Sequence, residues 1–216
     1  MNADTMKNKT LLFDLDGTLY YVGNKMEKLC DARVKEYLVN NLDISETKAI
    51  DLIKEFRENY HYDSEAISDN YPFSQSDFIE YVCDVPTDCI AQDKELDRIL
   101  HQIHNPKYIF TDSTQKHVRD VLKKEQVKID NFIYIYDAHD MEYVFKYRKE
   151  CFEKFLSKFG LSAEECVIFE DNTKNLETAK SCGIITVFIK PNQNEKPDFV
   201  DYMFSDIKTA LSQIFL

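Results

Sequence analysis

The chain has 216 residues, of which 44% are hydrophobic and 31% are charged, and its formal net charge is −12 at pH 7. This composition is typical of a folded globular protein, and the negative charge excludes broad binding to nucleic acid polymers or acidic membrane surfaces. The apolar runs are shorter than the roughly 20 residues that cross a bilayer, and the polar amino terminus carries no secretory signal, so we expect a cytoplasmic protein.

The first predicted strand is the apolar run from residue 10 to 13, which stops abruptly at Asp14-Leu15-Asp16-Gly17-Thr18. Beyond it, residues 22 to 104 are almost purely helical in pattern, because apolar residues recur three and four positions apart. Helices are predicted at about 25–42, from 46 to a break at Asn70-Tyr71-Pro72, and at about 73–82 and 94–103. Ser45 is predicted to cap the second of them.

Residues 106 to 216 show a different pattern, in which predicted short apolar strands alternate with predicted amphipathic helices. This alternation predicts an α/β fold with a parallel sheet. Strands are predicted at 108–110, 132–136, 166–169 and 184–189, and helices at about 115–124, 148–160, 173–181 and 206–215. The first strand resembles the short apolar strands of this α/β segment. We therefore predict a core of residues 1–21 and 105–216, with a helical cap of residues 22–104 inserted after strand one.

Four short motifs follow predicted elements of the core in a characteristic order. They are Asp14-x-Asp16-Gly17-Thr18, Thr111, Lys146 and Glu170-Asp171. Their order and spacing resemble those of the haloacid dehalogenase (HAD) superfamily over nearly the whole chain. The resemblance implies a Rossmann-like core with a parallel sheet and an inserted helical cap of type 1, and the carboxyl ends of the strands would bring the motifs together.

The residue types also fit the chemistry of phosphate ester hydrolysis. A carboxylate can attack phosphorus and form an aspartyl-phosphate, which splits a hard displacement into two easier ones, and Asp14 is in that position. A second carboxylate two residues further on can protonate the leaving oxygen and later deprotonate the attacking water, and we predict this role for Asp16. By resemblance, Thr18 is the hydrogen-bond partner that orients Asp16.

A phosphate and a carboxylate repel one another, so a hard cation with oxygen ligands is expected between them. The resemblance implies Mg²⁺ bound by the carboxylate of Asp14, the backbone carbonyl of Asp16 and the side chain of Asp171. Glu170 would act on the metal directly or through water. An acidic pair could also simply open the next helix, and the two uses are compatible.

The remaining site predictions also follow from the resemblance. Thr111 matches the hydroxyl that binds phosphate, and the amide of Asp112 is a second donor. Lys146 matches the lysine that pairs with phosphate and steadies the nucleophile, although Lys149 could take the same place. Asn175 matches the polar partner of the acidic pair.

The segments around the second and fourth motifs look most like pyrimidine 5′-nucleotidases, which implies hydrolysis of nucleoside 5′-monophosphates such as UMP and CMP. In the cap, Tyr60 and His61 are candidates for stacking on a base, with cap packing as the alternative. The chain departs from that group where His61 replaces glycine, Asp112 replaces asparagine and Tyr147 replaces proline. A monomer or a homodimer fits these expectations.

Other functions are compatible with the same motifs. The core could hydrolyse a sugar phosphate, phosphoglycolate or pyridoxal phosphate, or it could be a catalytically weak binding or regulatory protein. A dehalogenase is disfavoured because it needs neither Asp16 nor a metal, and a calcium loop because Lys25 stands near the position of its glutamate. No role is predicted for His117 or His139, and the six cysteines are expected to be reduced thiols of the core.

Overall fold

The computed structural model describes residues 6–193 and 195–216. The chain divides into two compact units, one formed by Met1–Val22 with Ile90–Leu216 and the other by Gly23–Cys89. Across the described ranges, no helix combines the length and the apolar character that a membrane crossing requires. All six cysteines are free thiols, and Cys151 and Cys166 are buried.

A parallel sheet forms the centre of the larger unit. Its strands are β1 (Thr10–Phe13), β2 (Lys107–Phe110), β3 (Tyr134–Tyr136), β4 (Cys166–Glu170), β5 (Ile185–Ile189) and β6 (Tyr202–Phe204). Within the described residues their order is β3-β2-β1-β4-β5-β6, and every neighbouring pair is parallel. β1 is central, with β2 on one side and β4 on the other, so its carboxyl end lies at the switch point where open parallel sheets bind ligands. The predicted α/β class with a parallel sheet is confirmed.

The helices alternate with these strands as the apolar periodicity predicts, and the insertion after β1 is helical. In chain order they are α1 (Lys25–Leu42), α2 (Glu46–Asn59), α3 (Asp63–Asn70), α4 (Gln75–Cys83), α5 (Lys94–Gln102), α6 (Gln115–Glu125), α7 (Lys149–Phe159), α8 (Thr173–Ser181) and α9 (Ile207–Phe215). The Ser45 side chain accepts a hydrogen bond from the backbone N–H of Lys48, so the predicted cap of α2 is present.

Aromatic side chains fill the contact between α7 and the sheet. Phe155 of α7 lies with its ring centroid 5.0 Å from that of Phe110 and 5.2 Å from that of Tyr136. Aromatic pairs at such distances contribute about 0.5–1.5 kcal/mol each beyond their burial. Since Phe110 ends β2 and Tyr136 ends β3, this packing fixes α7 against the sheet edge that carries the second motif.

Two features were not predicted from the sequence, namely the end of α2 at Tyr60 and the strand β6. Tyr60 adopts an extended conformation, with φ −129° and ψ 156°, which ends α2, and α3 then begins at Asp63. Arg57 donates a hydrogen bond of 2.9 Å to Asp63 across this break. β6 has only three half-buried residues, Tyr202–Phe204, at the edge of the sheet, and an apolar run this short does not by itself predict a strand.

Helix α5 belongs to the larger unit, whereas the sequence assigned it to the insertion. Asp93 caps α5 by accepting from the Leu96 N–H at 3.0 Å, and Lys208 of α9 binds Asp93 at 2.7 Å. Asp97 accepts a hydrogen bond of 2.8 Å from the N–H of Lys128. The unit boundary therefore falls between residues 89 and 90 and not between 104 and 105, because periodicity identifies a helix without showing which core receives its apolar face.

Glu125, the last residue of α6, should make stability depend on pH. The side chain is 2% exposed, its Oε2 has no hydrogen-bond partner among the described residues, and it lines a cavity of about 220 Å³. Burial, and then the charge of Asp93, raise the pKa of Glu125 to about 8, against about 4.3 in an unfolded chain. The folded protein thus retains a proton that the unfolded chain releases, so stability should fall between about pH 4.3 and pH 8, by at most about 1.4 kcal/mol per pH unit.

Glu125→Gln should remove this fall and be more stable than the wild type above pH 8. Urea denaturation at several pH values between 6 and 9 measures the difference. Glu177→Gln, on the exposed face of α8, is the control and should keep the wild-type slope. Parallel pH profiles for the wild type and Glu125→Gln would contradict the prediction.

Candidate active site

Asp14 is held at the end of the central strand. Asp14 is the first residue after β1 and is only 6% exposed. Its backbone N–H donates to the Phe169 carbonyl of β4 at 3.0 Å. The backbone of Asp14 is therefore still anchored to the sheet. A residue anchored in this way is suited to act as a nucleophile, because little conformational entropy is lost when its carboxylate reacts.

Lys146 lies between two carboxylates. Its Nζ donates to Asp14 Oδ1 at 2.6 Å and to Glu170 Oε2 at 2.7 Å, and the residue is 1% exposed. Burial alone would lower the pKa of the Lys146 ammonium, but the charges of Asp14 and Glu170 hold it well above its ordinary value. Lys149, in contrast, is exposed at the start of α7. The structure thus brings Lys146, the preferred of the two lysines, to Asp14.

Glu170 has both carboxylate oxygens engaged. Oε1 accepts from the N–H groups of Asp171 and Asn172 at 3.2 and 3.0 Å, and Oε2 accepts from Lys146 and from Asn175 Nδ2, the latter at 3.3 Å. Glu170 therefore anchors Lys146 and the start of α8 at the same time. Asn175 contacts the acidic pair as the resemblance implied.

The nucleophile belongs to an acidic cluster. Asp14, Glu170 and Asp171 each offer a carboxylate oxygen, and these oxygens lie within 4.8 Å of one another. Burial raises the pKa of Asp14, and the charges of Glu170 and Asp171 raise it further while Lys146 opposes them. Lys190 contacts Asp171 Oδ2 at 3.2 Å. Carboxylate oxygens that converge in this way fit a hard divalent cation.

Gly17 allows the loop after β1 to pass close to this cluster. Its φ is +87°, a backbone conformation that favours glycine, and a Cβ at this position would lie 2.5 Å from Asp171 Oδ2. Any larger residue would displace the Asp171 carboxylate. The glycine of the first motif thus has a steric reason as well as a conformational one.

Asp16 has different partners from those that the sequence predicted. Its Oδ1 accepts from the Tyr20 hydroxyl and lies 2.9 Å from His117 Nε2. Burial alone would raise the pKa of Asp16, but the hydrogen bond and charge of His117, together with Tyr20, bring it below its ordinary value. Thr18 is not the partner, since its buried hydroxyl has no hydrogen-bond partner in the described part of the chain.

His117 was given no role by the sequence. It is 3% exposed and lies in the first turn of α6, on the stripe that continues at Val121 and Glu125. Burial alone would lower the pKa of His117, but the hydrogen bond and charge of Asp16 raise it above its ordinary value. A histidine on the buried stripe of the helix that follows Thr111 is the sequence feature that could have indicated this contact.

The loop after β2 carries the predicted phosphate donors. Thr111 is 1% exposed; its N–H donates to the Tyr136 carbonyl at 3.0 Å and its Oγ1 accepts from the Ser113 N–H at 3.2 Å. No described residue accepts a hydrogen bond from the Thr111 hydroxyl. Asp112 Oδ1 accepts from the backbone N–H of Lys146 at 3.2 Å, so this loop is tied to the segment that carries the lysine.

Tyr60 and His61 lie in the inserted unit. The Tyr60 hydroxyl accepts a hydrogen bond of 3.1 Å from Asn70, and its ring lines a groove with Phe56 and Tyr71. His61 is exposed. Stacking of these rings on a substrate stays a prediction.

Comparisons with known proteins show the family and the fold. A family model described as haloacid dehalogenase-like hydrolase matches residues 8–183. Similar solved structures include a HAD phosphatase from Thermococcus onnurineus, with 20% identity, a TM-score of 0.65, and coverage of 95% of this chain and 97% of that chain.

Two further structures have comparable scores. The HAD hydrolase YfnB from Bacillus subtilis, bound to magnesium, has 16% identity, a TM-score of 0.63, and coverage of 97% and 100% of the two chains. An L-2-haloacid dehalogenase from Xanthobacter autotrophicus, with chloropropionic acid covalently bound, has 10% identity, a TM-score of 0.60, and coverage of 96% and 98%. At these identities, the likeness shows the fold alone.

Proposed function

Because the chain belongs to the haloacid dehalogenase-like hydrolases, whose model matches residues 8–183, we propose that it hydrolyses phosphate monoesters with the help of Mg²⁺. One observation carries the proposal most directly. Asp16, a second carboxylate two residues from the nucleophile, is held by two hydrogen-bond donors beside an acidic cluster that fits a cation. A dehalogenase that displaces halide needs neither feature.

The reaction proceeds in two displacements. In the first, Asp14 attacks phosphorus, the bond to the leaving oxygen breaks, and Asp16 gives that oxygen a proton. In the second, water attacks the aspartyl-phosphate, Asp16 takes the water proton, and inorganic phosphate leaves Asp14. The Lys146 ammonium and the Thr111 hydroxyl, with the N–H of Asp112, bind the negative charge of the transferring phosphoryl group.

The carboxylates of Asp14 and Asp171 and the backbone carbonyl of Asp16 would hold the Mg²⁺. Glu170 acts through Lys146 or through water, because both its oxygens already accept hydrogen bonds. When bound, Mg²⁺ supplies positive charge that offsets the repulsion between phosphate and carboxylate. The structure of the Bacillus subtilis protein, which has the same fold and contains bound magnesium, supports this proposal of a Mg²⁺ site.

Gly17→Ala should weaken Mg²⁺ binding by about tenfold, since one lost or misplaced ligand costs roughly 1.4 kcal/mol or more. The added methyl group collides with Asp171 Oδ2, which must move out of the cluster. Gly160→Ala is the matched control, because its φ of +64° is also positive but nothing lies within 4 Å of the added Cβ. Isothermal titration with Mg²⁺ measures both variants, and equal weakening in the two would contradict the prediction.

The substrate class that we propose is the nucleoside 5′-monophosphates, with pyrimidine nucleotides first. Support comes from the segments around Thr111 and Asp171, which look like those of pyrimidine 5′-nucleotidases, and from the exposed position of His61 beside Tyr60 in the inserted unit. Sugar phosphates, phosphoglycolate and pyridoxal phosphate are the competing substrates for the same core.

The test is release of inorganic phosphate from a panel of phosphomonoesters, with Mg²⁺ and with excess EDTA. We expect hydrolysis that requires Mg²⁺ and is fastest for UMP or CMP. Faster hydrolysis of another phosphoester would replace the nucleotide assignment and keep the phosphatase. Chloride release from 2-chloropropionate without phosphatase activity would indicate a dehalogenase, and inactivity on every compound would indicate a binding or regulatory protein.

A further inference from the structure

Two side chains that take no part in the two displacements hold Asp16. His117 Nε2 lies 2.9 Å from Asp16 Oδ1, and the Tyr20 hydroxyl donates to the same oxygen. A carboxyl oxygen that carries no proton only accepts hydrogen bonds, so His117 Nε2 carries a hydrogen and donates it to Oδ1 whether or not Oδ2 is protonated. Both donors thus converge on Oδ1, and Asp16 Oδ2 accepts from no described residue.

Both donors are buried, which restricts the conformations of their side chains. His117 is 3% exposed, and its backbone N–H donates to the capping Thr114 hydroxyl at 3.3 Å. Tyr20 is 6% exposed, and its backbone forms a bridge with Asp16. An aspartate on a loop would otherwise rotate among several side-chain conformations, in which either oxygen could face the reacting atoms. Two fixed donors on one oxygen select a single conformation.

We propose that His117 and Tyr20 are positioning residues that clamp Oδ1 of Asp16, so that Oδ2 alone transfers the proton in both displacements. The inference rests on the proposed phosphatase function. In the first displacement Asp16 enters with a proton on Oδ2; the Asp14 oxygen bonds to phosphorus, the bond to the leaving oxygen breaks, and that proton moves to the leaving oxygen. In the second, water oxygen bonds to phosphorus, the bond to Asp14 breaks, and a water proton returns to Oδ2.

The clamp predicts a dependence on the leaving group. Nitrophenol is a much stronger acid than phenol, so p-nitrophenyl phosphate needs little protonation of its leaving oxygen whereas phenyl phosphate needs more. Loss of the clamp should therefore lower kcat/KM much more for phenyl phosphate. A residue that merely stabilises the fold would lower kcat/KM for both esters by the same factor, because the folded fraction of the enzyme is the same for both.

The experiment measures kcat/KM for both esters, with Mg²⁺, in the wild type and in variants. His117→Ala should lose about 100-fold on phenyl phosphate, the order of a general acid's contribution, and at least about tenfold less on p-nitrophenyl phosphate. His117→Gln keeps an N–H that can reach Asp16 and should recover part of the difference. Val118→Ala, a buried neighbour on α6, is the control and should change both esters equally.

Tyr20→Phe removes only a hydroxyl, so it tests the clamp on Asp16 even if His117→Ala does not fold. It should show the same selective loss to a smaller degree. Equal losses on both esters in His117→Ala and Tyr20→Phe, with an active wild type, would overturn the clamp and leave the phosphatase function intact. A wild type that hydrolyses neither ester would overturn the proposed function and, with it, this inference.

Discussion

Asp14→Asn should lower phosphatase turnover by at least about 10⁴-fold while the protein remains folded. An amide cannot replace the carboxylate as nucleophile, so no aspartyl-phosphate forms, and losses of a nucleophile are of this order or larger in other covalent enzymes. The fold should persist because Lys146 keeps its bond of 2.7 Å to Glu170. The measurement is phosphate release on the best substrate of the panel, together with acid quenching of the enzyme with radiolabelled substrate to detect protein-bound phosphate.

Asp137→Asn is the matched control for Asp14→Asn. Asp137 is also an aspartate just beyond a strand, and each of the two residues is 6% exposed. Asp137 accepts from the backbone N–H groups of Gln115 and Asp140 at 2.9 and 3.0 Å, so it joins the loop after β3 to the start of α6. We expect it to retain covalent phosphate labelling and most of its turnover. Wild-type turnover in Asp14→Asn would refute the nucleophilic mechanism.

Lys146→Met should destabilise the protein by about 3–5 kcal/mol in the absence of Mg²⁺. The methionine side chain fills much of the lysine's volume, but it leaves Asp14 and Glu170 buried with no ammonium between them. Removal of one partner from a buried ion pair destabilises a protein by about 3–5 kcal/mol. Activity should also fall by about 10²–10³-fold, since a preorganised charge at the phosphoryl group is lost. Urea denaturation measures the first effect and steady-state kinetics the second.

Mg²⁺ should recover part of the stability lost in Lys146→Met, because a bound cation offsets the same repulsion. Lys149→Met is the control: it removes the same charge three residues further on, from an exposed side chain, and should change the free energy of unfolding by less than about 0.5 kcal/mol. Equal effects of the two substitutions would show that Lys146 is not the lysine of the site.

The secondary structure was well predicted wherever an element is long and its apolar period is regular. Helix α1 spans Lys25–Leu42 and α8 spans Thr173–Ser181, as their periodicity indicated. The break that separates α2 from α3 was not predicted, because it depends on one extended residue, Tyr60, and on the bond from Arg57 to Asp63. Short elements such as β6 depend on their neighbours in space, which a local pattern does not contain.

The structure brings together several of the residues that the sequence singled out for the site. Asp14 and Asp171 directly follow β1 and β4, and the carboxyl ends of neighbouring parallel strands meet at one edge of the sheet whatever the intervening sequence. The expected bond from Thr18 to Asp16 is absent, and His117 and Tyr20 take its place. This exchange depends on side-chain directions at the start of α6, which motif spacing does not specify.

The sequence by itself determined the α/β class, the helical insertion after β1, the family and the residues at the strand ends, because hydrophobic periodicity and motif order are properties of the chain. Only the tertiary structure decided which unit contains α5, which lysine reaches the nucleophile, and which donors hold Asp16. Each of these depends on contacts between residues far apart in sequence, such as the 132 positions between Asp14 and Lys146 or the 101 between Asp16 and His117. Packing, and not local propensity, selects among the partners that the chain makes available.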